Sequence, residues 1–151
     1  MPTPTRRTRS NMRKARMVPA PSPRILAELL DTLPPHLSVA VRTAASFQCL
    51  SREMQELDAA LSARDRIEQT VGSSASGAEP LVLREAMRRE ARAFMRASIV
   101  ASAIVDAAPA TVDSICLALI VTIAAGQPGP ADAATFPWRQ LRQVLAAVAE
   151  L

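Results

Sequence analysis

Tyrosine is absent from this chain of 151 residues, and three phenylalanines and one tryptophan are its whole aromatic content. Packing must therefore rely on Leu, Val, Ile, Ala and Met. The single histidine, His36, cannot build a His-rich metal site, and behind Pro34 and Pro35 at a helix start it reads as an exposed or capping residue. Cys49 and Cys116 are far apart, have no second Cys or His at ligand spacing, and sit inside apolar patterns, so reduced and buried thiols are expected. Neither a glycine-rich phosphate loop nor a G-x-S-x-G nucleophile context occurs. With those residue types missing, no catalytic residue, cofactor or metal ligand is assigned, and the chain reads as a non-enzyme.

Glycine is also scarce. The four glycines, Gly72, Gly77, Gly126 and Gly129, fall in two segments, 72–79 and 126–137, that are loops by composition. Between these breaks the apolar residues recur at helical spacing. Ser22–Leu33 predicts a short helix with Ile25, Leu26, Leu29, Leu30 and Leu33 on its apolar side, ended by Pro34-Pro35. A long uninterrupted helix is expected from about Leu37 to Val71, with Phe47, Leu50, Met54, Leu57 and Leu61 as its seam. The last segment predicts a helix with Trp138, Leu141, Leu145 and Val148 on one face, Arg139 and Arg142 outside that stripe, and Trp138 as a core or lid residue.

Charge is nearly absent from Ala97–Ala125, where Asp106 and Asp113 are the only ionisable carboxylates. Two carboxylates and Pro109 oppose a membrane span, because each carboxylate near the bilayer centre costs about 2.5–3.5 kcal/mol. A helical hairpin is expected instead, its first helix ending near Ala107 and its second capped near Thr111 or Asp113. The β-branched content of the second helix is also compatible with a buried strand. Asp106 and Asp113 read as helix-end residues, Asp113 favouring the positive end of the next helix dipole.

The densest charge pattern precedes that stretch. Arg84, Arg88, Arg92 and Arg96 follow one another at i+4 steps with Arg89 beside them, and at about 100° per residue they occupy an arc of roughly 140°. Leu83, Met87, Ala91, Phe94, Met95 and Ser98 cover most of the opposite side, so a cationic face and an apolar face are expected on one helix. If the loop 72–79 reverses the chain, facing residue numbers sum to roughly 152. Glu68 then falls near Arg84 and Glu56 near Arg96, which makes the arginine ladder a set of interhelical or solvated ion pairs. The competing reading is a cationic face for phosphate or an acidic partner.

The formal charge of +4 conceals an asymmetry. Residues 1–24 contain Arg6, Arg7, Arg9, Arg13, Lys14, Arg16 and Arg24 and no acid, so the remainder of the chain is net negative. With four prolines and few large apolar residues, 1–21 is expected to be a disordered basic arm, and 22–151 a single helical domain. The arm lacks the apolar region of a secretory signal. It shares with organellar transit peptides an acid-free, Arg- and Ser/Thr-containing composition, although its prolines oppose the amphipathic helix such peptides form.

These features predict an all-α protein, a bundle of four or five helices behind a basic arm, located in the cytoplasm. The expected role is that of an interaction or regulatory protein that forms a homo-oligomer, with protein partners met through amphipathic helices. The arm residues Arg6, Arg7, Arg9, Arg13, Lys14 and Arg16 are expected to contact nucleic acid or an anionic surface, with Arg84, Arg88, Arg92 and Arg96 as a second basic face. The alternative is a membrane-associated protein that applies the arm and the arginine face to anionic lipid and inserts the 97–125 hairpin partly.

Overall fold

The computed structural model describes residues 17–72 and 80–151, and the regular elements among them are all helical. In chain order they are α1 (Pro23–Thr32), α2 (Pro35–Thr43), α3 (Ala45–Val71), α4 (Leu81–Asp106), α5 (Val112–Gly126), a 3-10 turn (Pro130–Ala134) and α6 (Trp138–Ala149). The described residues thus form six α-helices where four or five were expected, and the strand alternative for 115–123 gives way to helix.

α5 is the centre of the body. It carries one charged residue, Asp113 in its first turn, and it packs against α1, α2, α4 and α6. A helix with neighbours on several sides buries side chains all round, which explains why its sequence shows no polar face. Cys116, Ile120, Val121 and Ile123 are fully buried, and Leu117 and Ala124 nearly so. The start of α5 is fixed by a reciprocal cap. Thr111 Oγ1 accepts from the Ser114 amide at 3.3 Å, and Ser114 Oγ accepts from the Thr111 amide at 2.9 Å. At the other end the Ser22 amide donates to the Ala124 carbonyl at 2.8 Å, so the N-cap of α1 is tied to the last turn of α5. Ser22 also caps α1, its hydroxyl accepting from the Ile25 amide.

The helix expected over 37–71 is two helices. Ala44 is extended (φ −61°, ψ 135°) between α2 and α3, although no Gly or Pro forces the break. The Thr43 hydroxyl donates to the Val39 carbonyl at 2.8 Å and lies 3.3 Å from that of Ala40, which satisfies acceptors at the end of α2. The gain is in packing. α2 turns Leu37 and Val41 into the core beside α5, while α3 takes a separate direction along α4. A single straight helix would give up one of these contacts.

α3 and α4 form an antiparallel hairpin. Arg64 pairs with Glu90 and Arg96 with Glu53, so facing numbers sum to between 149 and 154, as the chain reversal predicted. Only the half of the hairpin nearest the body reaches the main core, through Phe47, Leu50 and Met54 on α3 and Ala101 and Ile104 on α4. The distal half projects beyond it. Leu57 and Leu61 of the expected seam are accordingly only half-buried.

α6 closes the body. Trp138 is half-buried, and its ring lies against Gly126, where any Cβ would collide with it. Arg142, expected to lie away from the packing stripe, is a tie between elements. Its Nη1 donates to Glu28 of α1 at 3.0 Å, and its Nε and Nη2 reach the carbonyl oxygen of the buried Gln127 side chain at 3.3 and 3.1 Å.

The end of the expected arm that is described contacts the body. Residues 17–21 belong to the folded body, since the Val18 amide donates to Ser102 Oγ of α4 at 2.8 Å and Pro21 is buried. Residues 1–16, and with them the expectation of disorder there, lie outside the described residues.

Candidate interaction surface on α4

α4 faces α3 with its smallest residues. Ala86, Ala93, Ala97 and Ala101 are buried, Ala97 and Ala101 completely, and they repeat at helical spacing along one side. Alanine at a helix contact lets the two backbones approach closely, because the distance between axes follows the size of the side chains between them. The expected apolar face is therefore not the packed one. Met87, Phe94 and Met95 are 44–49% exposed, Ile99 is 52% exposed and Leu81 65%.

At about 100° per residue, α4 divides into three sides. The alanine side meets α3. Next to it is a flank with Phe94, Met87 and Ala91, and in an antiparallel pair that flank lies on the same side as Leu57 and Leu61 of α3. The outward side is mixed: Arg88 sits nearly opposite the alanines, and the exposed Met95, Ile99 and Leu81 lie within about 20° of it.

The arginine ladder is partly tied down. Arg96 Nε donates to Glu53 at 3.2 Å and Arg88 Nη1 to Glu85 at 3.0 Å. Such exposed pairs contribute about 0–1 kcal/mol each. The expected partners Glu56 and Glu68 are not used by the ladder; Glu68 lies 3.5 Å from Arg64 Nε on its own helix. Arg84, Arg89 and Arg92 are exposed and form no ion pair among the described residues. The two readings of the ladder thus divide it: Arg88 and Arg96 are paired, while Arg84 and Arg92 are exposed with no ion-pair partner among the described residues.

The best-held charges of the hairpin are a pair that periodicity did not single out. Arg64 Nη1 donates to Glu90 Oε2 at 2.6 Å, with both side chains less than a third exposed. Burial works to lower the Arg64 pKa, but the carboxylates of Glu90, Glu68 and Asp65 outweigh it and raise it. The signal available in the sequence was Glu90, the one acid among the five arginines that shares the phase of the buried alanines.

The two cysteines differ. Cys116 is buried as expected, and burial followed by the nearby charge of Asp113 pushes its thiol pKa up, which keeps it protonated and unreactive. Cys49 is exposed, against expectation, because α3 turns it away from the seam toward an apolar groove of about 570 Å³ between α3, α4 and the start of α5. His36 is exposed. No cluster of metal-ligating side chains occurs among the described residues, and no helix there is long and apolar enough to cross a membrane. The arm residues Arg6, Arg7, Arg9, Arg13, Lys14 and Arg16 lie outside the described residues. Comparison with protein-family models, with curated proteins and with solved structures gives no match.

Proposed function

We propose that the protein acts by binding, as a self-associating helical interaction protein, and is not an enzyme. The observation that carries this reading is the flank of the distal hairpin, where Phe94 and Met87 stand exposed beside the half-buried Leu57 and Leu61. Clustered apolar side chains rimmed by charge are the usual mark of a protein contact. A second copy of the chain matches this surface in charge as well as in polarity. α3 carries three arginines and five acids, and α4 carries five arginines and three acids. A two-fold contact that lays each flank on its counterpart brings the basic α4 of one copy beside the acidic α3 of the other, forming a four-helix arrangement from two hairpins.

Phe94→Glu tests this reading by gel filtration with light scattering. The wild-type chain should associate at tens of micromolar, and the variant should elute as a monomer with its melting temperature little changed, since exposed substitutions shift stability by about 0.5 kcal/mol or less. A variant that associates as the wild type does would remove the flank from the interface.

The second part of the proposal assigns the arm to nucleic acid. Six cationic side chains in residues 1–16 with no carboxylate among them favour phosphate contacts, and the absence of a base-reading motif favours weak sequence preference and strong salt dependence.

A further inference from the structure

The apolar flank of the hairpin does not end at Leu57. Round α3, Phe47 and Met54 lie within about 40° of Leu61, so the flank runs on along α3 toward the body. There α1 stands beside α3, and the two leave between them a groove of about 470 Å³. Leu26 and Leu30 of α1 and Phe47 and Met54 of α3, all core residues, form its floor. Ala27 on one side and Gln55 and Asp58 on the other form its exposed rim.

We infer, resting on the self-association proposed above, that Phe94 of a second copy seats in this groove and that each copy fills the groove of the other. Two kinds of two-fold contact lay flank on flank. An axis across the hairpins sets α3 on α3 and α4 on α4, acid against acid and arginine against arginine. An axis along the hairpins sets α3 of each copy on α4 of the other, and the charges at the flank select it. Asp65 and Glu68 lie within about 40° of Leu61 on α3, an arc that holds no arginine, and Arg84 lies within about 20° of Ala91 on α4. Glu90, the acid nearest that side of α4, is held by Arg64. A lengthwise axis leaves height along the hairpin unchanged, so the register inside one copy is also the register between copies. Facing-number sums of 149 to 154 bring Arg84 level with residues 65–70 of the other copy's α3, where Asp65 and Glu68 sit. The same sums bring Phe94 level with residues 55–60, where Gln55 and Asp58 form the distal mouth of the groove. One register thus matches the charges and places Phe94, 45% exposed in the single chain, at an apolar pocket, the usual seat of an aromatic anchor.

The test is the dimer dissociation constant of full-length variants, measured by sedimentation equilibrium. Ala27→Arg sets a long cation on the rim of the groove at an exposed position of α1, and should weaken the dimer about tenfold or more with the melting temperature little changed. If circular dichroism shows that variant to be less helical than the wild type, Gln55→Arg on the opposite rim makes the same test. Asp65→Arg and Arg84→Asp should each weaken the dimer about fivefold, and the two combined in one chain should return it to within about twofold of the wild type, because the exchanged charges meet again across the contact. Folded rim variants that associate as the wild type does, beside a monomeric Phe94→Glu, would overturn the groove as the seat of Phe94 and leave the flank contact standing. A double variant no tighter than the single ones would overturn the lengthwise axis, and the insertion with it, while self-association stands. Should Phe94→Glu itself associate as the wild type does, the flank contact falls and the insertion falls with it.

Discussion

The body around α5 and the distal half of the α3–α4 hairpin are built from the same few residue types but use them in opposite ways. In the body the large aliphatic side chains point inward, with Ile120, Val121 and Ile123 fully buried. In the distal hairpin the buried positions are Ala60, Ala86 and Ala93, and the larger Met87, Phe94 and Leu81 face solvent. The difference follows from the number of neighbours. A helix surrounded by four others gains from apolar bulk on every side, whereas a two-helix extension has one contact line, and small residues make that line closest. Bulk left outside is then surface still to be covered, which links the packing of α4 to the proposed role.

The contrast sets an order of expected effects. Ile120→Ala should be the most damaging, because it opens a cavity at the point where the body helices converge; the expected loss is about 2–5 kcal/mol in chemical denaturation. A loss below 1 kcal/mol would mean that the body is no better packed than the hairpin. Ala97→Leu probes the opposite rule. Ala97 is fully buried where α4 meets α3, so added bulk must push the helices apart, with an expected loss of about 1–3 kcal/mol. Were this variant more stable than the wild type, close approach through alanine would not be what holds the hairpin. The smallest effect should be a gain. Ser98 is 2% exposed and its hydroxyl has no hydrogen-bond partner among the described residues, so Ser98→Ala removes a desolvated polar group and should stabilise by about 1 kcal/mol. A net loss would reveal a partner for that hydroxyl.

Much of the fold follows from local chemistry. Thr111, one of the two residues expected to cap α5, caps it, α1 starts at the expected Ser22, Pro34-Pro35 ends α1, and the reversal through 72–79 gives nearly the expected pairing, with Arg96 meeting Glu53 one turn short of Glu56. These features depend on residues close in sequence or on the geometry of a single loop. The break at Ala44 depends instead on two helices finding different partners, and no residue at the break announces it. The inward side of α4 escaped for the same kind of reason. Periodicity identifies Met87, Phe94 and Met95 as one apolar set, but whether that set or the alanine set faces α3 is decided by how closely the helices approach. Cys49 followed the same error, since an apolar setting in sequence did not place it on the packed side of α3. The candidate surface was therefore readable as charge, in Arg84 through Arg96, and hidden as shape.

Sedimentation equilibrium across a range of loading concentrations tests the central claim most directly, namely that the side chains left outside the α3–α4 hairpin form a contact between copies. The account predicts a reversible monomer–dimer equilibrium at tens of micromolar that persists in high salt, because its centre is apolar, and that disappears in Phe94→Glu. A wild-type chain that remains monomeric throughout that range would contradict it.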